Sequence, residues 1–255
     1  MKVVILGAGN VGTHLGRAFI AGGNEVLQVY SRSMESARKL ADELECAFAT
    51  RTDSLDTAAD VYIIAVTDDA IADLAARFPL KEKLLVHTSG TTPMDVLQTG
   101  SAHHGVFYPL QTFSKEVPVD FRNIPVCLEA SSETNMQMLE SLARSLTDKV
   151  YRIDSTDRQK LHVAAVFACN FVNHMYAVAA DILEQQGLPI DLLRPLMEET
   201  TRKVMTGEPG DMQTGPARRK NQKVLDKHAE LLAKNPEYRA LYVTISKSIL
   251  KKYHT

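Results

Sequence analysis

Residues 1–12 read Met-Lys-Val-Val-Ile-Leu-Gly-Ala-Gly-Asn-Val-Gly, an apolar run followed by three glycines in G-x-G-x-x-G spacing. The run predicts a buried strand, and the residues from Thr13 onward have the apolar spacing of a helix. In this arrangement the first glycine permits a tight turn, the second lets the backbone approach a pyrophosphate, and the third lets the helix pack on the strand. The stretch therefore predicts a dinucleotide site that is formed by Gly7, Gly9, Asn10, Val11 and Gly12.

The end of the second predicted strand, Glu25 to Tyr30, favours one dinucleotide over another. The strand is followed by Ser31, Arg32 and Ser33, with no acidic residue among them. An acidic residue at this place binds the ribose 2′-hydroxyl of NAD, whereas an arginine can pair with the 2′-phosphate of NADP. The sequence therefore predicts NADP as the cofactor, bound in part by these three residues.

Polar loops follow two more predicted strands, over residues 60–66 and 83–87. Ligands of open α/β sheets lie at the carboxyl ends of the strands, so both loops are expected to line the cofactor cleft. Capping of the helix that follows each loop explains the same polar residues equally well. The residues predicted to bind the cofactor here are Val66, Thr67, Asp68, Thr88 and Ser89, of which Ser89 is also predicted to contact the substrate.

Strand and helix patterns alternate up to residue 154, and almost only helical patterns follow. The alternation predicts an α/β fold with a doubly wound parallel sheet. We therefore predict a Rossmann domain over residues 1–154 and an all-helical domain over residues 155–255. The first helix of the second domain, residues 157–187, is apolar on most faces, so neighbours are expected to cover it. Further helices are predicted to start at Asp191, Ala217 and Pro236.

Composition limits the remaining classes of function. The formal net charge is −2 with charges of both signs interspersed, so no nucleic acid is expected as a partner. Three distant cysteines and a start without targeting features predict a protein of the reducing cytoplasm. The apolar residues 163–180 include two asparagines and a histidine, which favours a buried helix over a membrane span. The adjacent His103 and His104 point to opposite sides of an extended chain, so no metal site is predicted.

Four motifs spread over the chain carry a family resemblance. They are His87-Thr-Ser-Gly90, Tyr108-Pro-Leu-Gln-Thr-Phe113, Phe167-Ala-Cys-Asn-Phe171 and Thr214-Gly-Pro-Ala-Arg-Arg219. With a Rossmann domain ahead of helices, the chain resembles the 6-phosphogluconate dehydrogenase-like superfamily, which includes ketopantoate reductase, prephenate dehydrogenase and deazaflavin-dependent NADP oxidoreductases. It resembles more closely a bacterial group of Rossmann-like proteins with a C-terminal domain of unknown function. The resemblance implies an NADP-dependent oxidoreductase and says little about its substrate.

In the superfamily, the substrate lies between the nicotinamide and the long helix, which often carries a lysine and an asparagine one turn apart. Here Asn170 stands at a plausible asparagine position, but Val166 occupies the place of the lysine. Asn170 and His174, four residues apart, are predicted to orient a carbonyl or imine and to exchange a proton. Hydrogen bonding inside a helix bundle is the alternative explanation for both.

Two other residues are predicted to bind substrate. Gln111 belongs to the second motif, and Arg218 follows Gly215-Pro216 at the predicted start of a helix. Cations are unfavourable at a helix N-terminus, so an anion is expected to compensate Arg218. We therefore predict a small anionic substrate, although a solvated arginine would look the same in sequence.

These observations leave two hypotheses about function. The first is an NADP(H)-dependent oxidoreductase that acts on a small anionic carbonyl or imine compound in the interdomain cleft. The second is a catalytically silent NADP-binding sensor or scaffold, which the missing lysine favours. Helical domains with so many apolar faces often pair between subunits, so a homodimer through the helical domain is expected.

Overall fold

The computed structural model describes residues 1–254, which fall into two compact units that divide between Cys169 and Asn170. The first unit is built on an eight-stranded sheet with strand order β3-β2-β1-β4-β5-β6-β7-β8. The strands are β1 Lys2–Leu6, β2 Glu25–Tyr30, β3 Ala47–Ala49, β4 Val61–Ile64, β5 Leu84–His87, β6 His104–Pro109, β7 Val126–Ala130 and β8 Val150–Arg152. Every neighbouring pair is parallel except β6 and β7. The predicted α/β class is confirmed, with this one antiparallel exception.

The side chains of the strands alternate between two apolar cores. Val3 and Ile5 of β1 lie in one core, and Val4 and Leu6 lie in the other. Both faces are therefore buried, which explains why the central strands are almost continuously apolar. The helices of this unit are α1 Asn10–Ala21, α2 Met34–Leu44, α3 Asp68–Ala76, α4 Glu133–Arg144 and α5 Ser155–Ala165. Side chains of α1, α2 and α4 fill the first core, and those of α3 fill the second.

The long helix predicted after residue 154 runs from Ser155 to Glu184, and it contains a π-helical turn over Val166–Asn170. Its first part is α5, and its last part is α6, Phe171–Glu184. The compact units divide inside this helix, whereas the division into functional domains at residue 154 stays a prediction. Within residues 1–254 no residue of α6 is buried, so other parts of the chain do not cover this part of the helix.

Length and composition alone would allow the helix Ser155–Glu184 to cross a membrane. Its first part, however, is fixed to the sheet. Arg158 in α5 is fully buried and forms an ion pair with Glu129 of β7. The buried ion pair therefore fixes α5, the part of the helix that belongs to the first unit, to the sheet.

Two predicted helix starts in the second unit are wrong. Asp191 does not cap a helix, because it lies inside a 3₁₀ turn, Ile190–Leu192, that precedes α7, Arg194–Thr206. The residues from Ala217 to Lys220 form turns, and Lys220 has a φ of 52°, which does not occur in an α-helix. The next helix, α8, therefore spans only Gln222–Leu231, with Asn221 as its cap. The last helix, α9, spans Pro236–His254.

Candidate cofactor and active site

A cleft of about 480 Å³ lies at the carboxyl ends of the first strands of the sheet. It extends from the glycine turn after β1 to the end of β2 and the start of α3. The residues that line it are Gly7, Ala8, Gly9, Asn10, Val11, Tyr30, Ser31, Arg32, Ser36, Ala65, Val66, Thr67, Ala70, Asp73, Leu74 and Arg77. The parallel neighbours β1 and β4 lead to helices from this edge, which is where doubly wound sheets bind dinucleotides.

The three positions of the turn differ in why they are occupied by glycine. Gly7 has a φ of 135°, and a Cβ atom there would lie 2.2 Å from the Ala65 carbonyl oxygen. A Cβ atom at Gly12 would lie 2.1 Å from the Gly7 carbonyl oxygen, so this glycine allows α1 to pack on β1. Gly9 is different, because its Cβ atom would have no neighbour nearer than 4.0 Å. The open space at Gly9 and the free amides at the start of α1 fit a pyrophosphate group.

The end of β2 supplies the cationic part of the cleft. Ser31 and Arg32 line it, whereas the Ser33 hydroxyl accepts from the Ser36 amide at 3.2 Å and caps α2. Arg77 also lines the cleft, and its Nε donates to the Asp73 carbonyl oxygen at 3.1 Å. Ser36 and Arg77 were missed by the sequence analysis. The signal for Arg77 was weak, since it is one of many cations that follow a helix.

The loop after β4 contributes part of what was predicted. Val66 and Thr67 line the cleft, but Asp68 does not. Thr67 is at the N-cap position of α3, yet its side chain makes no capping hydrogen bond. The Asp68 carboxylate accepts from the Thr91 hydroxyl at 2.6 Å, which ties this loop to the loop after β5.

The two predicted hydroxyls after β5 are buried within their own loop. The Thr88 hydroxyl donates to the Ile64 carbonyl oxygen at 3.2 Å. The Ser89 hydroxyl accepts from the amides of Thr91 and Thr92 at 3.1 and 2.9 Å. Neither residue lines the cleft, and their contacts explain the polar sequence as loop structure. A ligand-binding role for Thr88 and Ser89 stays a prediction.

A second polar pair lies at the carboxyl end of β6, beside the loop after β5. The Tyr108 hydroxyl is 3.0 Å from Nδ1 of His162 in α5. Gly90 packs directly on this pair, because a Cβ atom there would lie 2.4 Å from the same nitrogen. Burial raises the pKa of Tyr108 to about 12. The sequence motif contained Tyr108 without assigning it a role, and His162 was missed because its partner is distant in sequence.

Arg158 holds the first turn of α5 against this loop. Its guanidinium donates to the Glu129 carboxylate, to the Thr92 carbonyl oxygen at 2.6 Å and to the Ser155 hydroxyl at 3.1 Å. Its Nε is buried without a partner among residues 1–254. Burial, and next the charge of Arg158, lowers the pKa of the buried His87 to about 4. His87 is therefore neutral at neutral pH.

The segment after β6 lies against the glycine turn. The Asn10 amide donates to the Phe113 carbonyl oxygen at 2.9 Å, and the Lys115 amine donates to the Ala8 carbonyl oxygen at 2.8 Å. Gln111 is exposed, and its side-chain oxygen accepts from the Thr112 amide at 2.8 Å. Gln111 was the residue predicted from this segment, whereas Lys115, which the sequence did not single out, makes the contact with the glycine turn.

The predicted residues of the second unit have separate surroundings. Asn170 ends the π-helical turn, and both Asn170 and His174 are exposed. Within residues 1–254 neither side chain has a hydrogen-bond partner, so the alternative of satisfied bundle residues is not supported. The Arg218 guanidinium lies 4.6 Å from the Tyr253 ring centroid, in a cation–π contact. Arg218 lies in a run of turns and does not begin a helix, so no helix dipole opposes its charge and calls for an anion there.

Known families match both parts of the chain. Residues 2–90 match the family described as NADP oxidoreductase coenzyme F420-dependent, and residues 124–249 match a domain of unknown function, DUF2520. A solved structure from Bacteroides fragilis, provisionally named an NADP oxidoreductase, is 44% identical, with 98% of each chain covered and a TM-score of 0.92. No curated protein is significantly similar to the chain.

More distant solved structures share the fold alone. A 1-pyrroline-5-carboxylate reductase from Streptococcus pyogenes is 14% identical, covers 99% of this chain and 98% of its own, and has a TM-score of 0.65. An imine reductase from Myxococcus stipitatus in complex with NADP⁺ is 16% identical, covers 98% of this chain and 93% of its own, and has a TM-score of 0.66.

The cleft, Arg32 at the end of β2 and the high identity to the Bacteroides fragilis protein lead to the same assignment. The predicted resemblance is confirmed, and NADP is the cofactor that the description of the Rossmann family names. The chain belongs to the family of NADP oxidoreductase-like proteins that join this Rossmann domain to the DUF2520 helical domain.

Proposed function

We propose that the protein is an NADP(H)-dependent oxidoreductase that reduces a small anionic carbonyl or imine compound. The observation that supports this most directly is the cleft, which joins an open glycine turn at Gly9 to the cations Arg32 and Arg77. No carboxylate directly follows β2. An arginine at that position favours the 2′-phosphate of NADP over the free hydroxyl of NAD.

The residues of the cleft have distinct tasks in this proposal. The amides at the start of α1 bind the pyrophosphate, while Arg32 and Arg77 bind the 2′-phosphate. NADPH, when bound, supplies the two electrons of the reduction as a hydride. The chain supplies orientation, exclusion of water and a proton for the substrate oxygen or nitrogen.

A carbonyl or imine substrate is proposed from the fold and from the polar residues of the long helix. The two distant structures that share the fold are named as a pyrroline-5-carboxylate reductase and an imine reductase. Asn170 and His174 are exposed and have no hydrogen-bond partner within residues 1–254, so both side chains are free to bind a ligand. We assign them to orienting and protonating the substrate, and Ser89, Gln111 and Arg218 to binding it. Arg218, whose guanidinium lies over the Tyr253 ring, is proposed to bind the anionic group as a free cation and not through a helix N-terminus.

A homodimer through the helical unit belongs to the same proposal. No residue of α6, α7 or α9 is buried in the single chain. Leu196 and Met205 of α7 expose 63% and 79% of their surfaces. So much apolar surface on neighbouring helices is typical of an interface between subunits.

The three free cysteines, which form no disulfide in the described residues, support a location in the reducing cytoplasm.

The cofactor is tested by titrating NADPH and NADH into the wild-type protein and Arg32→Ala. We expect the wild type to bind NADPH at least about tenfold more tightly than NADH, and the variant to lose most of this preference. Arg38→Ala is the matched control, because Arg38 is exposed in α2 and pairs only with Asp42 at 3.7 Å. Equal binding of both nucleotides, unchanged by the substitution, would contradict the proposal.

Turnover is tested by screening 2-oxo acids, cyclic imines and an oxidised deazaflavin for consumption of NADPH. Asn170→Ala should lower kcat with whichever compound is reduced, since its amide orients the reacting group. Tight NADPH binding without consumption in the whole screen would favour the second candidate, an NADP-binding sensor or scaffold. The absence of a lysine at Val166 is the observation that supports that candidate.

A further inference from the structure

Near the carboxyl ends of β5 and β6, a hydrogen bond joins the side chains of Tyr108 and His162, and both can exchange protons. The Tyr108 hydroxyl is 3.0 Å from Nδ1 of His162. Tyr108 is 8% exposed, and His162 is half-buried. The pair is therefore shielded from bulk water without being sealed from it, as a group that passes a proton must be.

The position of the pair along the sheet points to the nicotinamide half of the cofactor. Arg32, which fits the 2′-phosphate, follows β2, and the glycine turn that fits the pyrophosphate follows β1. The sheet continues from β1 through β4 and β5 to β6, where Tyr108 lies. A dinucleotide that crosses the switch point between β1 and β4 places its second half on the side of β4 to β6.

We propose that Tyr108 and His162 form a proton relay whose protonation is coupled to the oxidation state of the bound cofactor. This rests on the proposed function and names groups that neither the families nor the sequence analysis assigned. In the step, the C=O or C=N carbon of the substrate gains a hydride from NADPH, and its oxygen or nitrogen gains the Tyr108 hydroxyl proton. Tyr108 thereby takes the proton transfer from His174, and His174 keeps the task of orienting the substrate with Asn170. The Nδ1 proton of a protonated His162 then passes to the Tyr108 oxygen, and His162 regains its proton from water. The substrate is reduced by two electrons, and NADPH is oxidised to NADP⁺.

The chemistry of the pair explains why both members are needed. Burial raises the pKa of Tyr108 to about 12, so a phenolate left on its own would be costly. A neighbouring imidazolium removes this cost by returning a proton, and an imidazole can exchange protons near neutral pH. Gly90 leaves room for the contact, since any side chain there would overlap Nδ1 of His162.

The other charged and titratable groups around the pair do not offer the same proton. His87 is neutral at neutral pH, with a pKa of about 4, and burial raises the pKa of the Cys127 thiol to about 11. Arg158 stays charged and is paired with Glu129. The remaining carboxylate near Tyr108 is Asp68, which accepts from the Thr91 hydroxyl.

The test uses the positive charge that the nicotinamide ring carries in NADP⁺ and lacks in NADPH. A protonated His162 nearby would repel NADP⁺ and leave NADPH unaffected. The ratio of the two dissociation constants, Kd(NADP⁺)/Kd(NADPH), is therefore expected to fall on the order of five- to tenfold between pH 6 and pH 8. The 2′-phosphate of the cofactor also titrates in this range, but it is the same in both forms and cancels in the ratio.

His162→Gln should make this ratio independent of pH. Tyr108→Phe keeps the ring and the imidazole, so the dependence should remain and be displaced along the pH scale. The matched control is His103→Gln. His103 is half-exposed and precedes β6, at the end of the strand opposite to Tyr108. Its ratio should follow the wild-type curve.

The outcomes separate the relay from the proposed function. A wild-type protein that binds neither nucleotide would contradict the proposed function. A wild type that binds both with a ratio independent of pH, or a His162→Gln variant that keeps the wild-type dependence, would overturn the relay alone.

Discussion

The guanidinium of Arg158 forms a buried ion pair with the carboxylate of Glu129, which joins the first turn of α5 to strand β7. Arg158 is completely buried, and Glu129 is nearly so, with 17% of its side chain exposed. The pair therefore holds the beginning of the long helix, and with it His162, against the sheet.

Arg158→Met should destabilise the first unit by about 3–5 kcal/mol, because it leaves the Glu129 carboxylate buried without its partner. The free energy of unfolding would be measured by urea denaturation followed by circular dichroism. Arg152→Met is the matched control, since Arg152 makes its ion pairs with Glu133 and Glu140 at the surface and should lower the free energy of unfolding much less. Equal losses for the two variants would show that the buried pair is not special.

Gly9→Ala and Gly12→Ala should separate ligand binding from folding. The Cβ atom of an alanine at position 9 has no neighbour nearer than 4.0 Å, so the variant should fold normally and bind NADPH roughly tenfold more weakly. At position 12 the Cβ atom would lie 2.1 Å from the Gly7 carbonyl oxygen, so the variant should be strongly destabilised. Thermal unfolding and NADPH fluorescence would measure the two effects. A stable Gly12→Ala protein, or full NADPH affinity in Gly9→Ala, would be inconsistent with these roles.

His87 should make the stability of the first unit sensitive to acid. Its pKa is lowered from 6.5 to about 4, first by burial and next by Arg158, so the folded protein holds its imidazole neutral. The unfolded chain binds more protons between these values. The stabilisation is complete above pH 6.5 and is lost as the pH falls toward 4, by about 2 kcal/mol between pH 7 and pH 5.

This dependence would be measured as the difference between urea unfolding free energies at pH 7 and pH 5. His87→Gln should show a smaller difference than the wild type, because glutamine does not titrate. His103→Gln, at a half-exposed histidine, should behave as the wild type does. If His87→Gln lost as much stability in acid as the wild type, another group would have to be responsible.

Leu196→Glu should weaken the proposed homodimer. Leu196 exposes 63% of its surface in the single chain, and a carboxylate there would be buried in an interface without a partner. Sedimentation velocity should show a dimer for the wild type and a shift toward monomer for the variant. Ile20→Glu is the control, because Ile20 is an exposed residue of α1 in the other unit. A wild type that is monomeric at micromolar concentration would contradict the proposal.

The sequence predicted the parts of the fold that depend on local pattern. The strand Glu25–Tyr30 was predicted with the observed bounds, because its apolar residues stand between clear breaks. The glycine turn was recognisable from the spacing of its glycines, of which Gly7 and Gly12 are required by close backbone contacts. The start of α8 was predicted too early, also for a local reason. Lys220 has a positive φ, which cannot be recognised from a lysine in the sequence.

The contacts between distant segments could not be predicted. Tyr108 and His162 are far apart in the sequence, and nothing in either segment indicates the other. The same holds for Arg77, which reaches the cleft from the end of a helix that looked ordinary. Ser89 illustrates the opposite difficulty. Its polar loop suggested ligand binding, whereas its hydroxyl accepts hydrogen bonds from amides of the same loop.

Gly90 is a glycine for a reason that its backbone does not reveal. Its φ is not in the left-handed region, and the space that a methyl group would need is taken by the His162 ring and the Tyr108 ring, 2.4 and 2.9 Å away. Positions 90 and 162 are therefore expected to change together among related sequences. A relative with alanine at the first position should carry a smaller residue at the second. Such a relative would keep the fold without the hydrogen bond between the residues at positions 108 and 162. The residues at positions 90 and 162 would then distinguish family members with this proton-transfer pair from members without it.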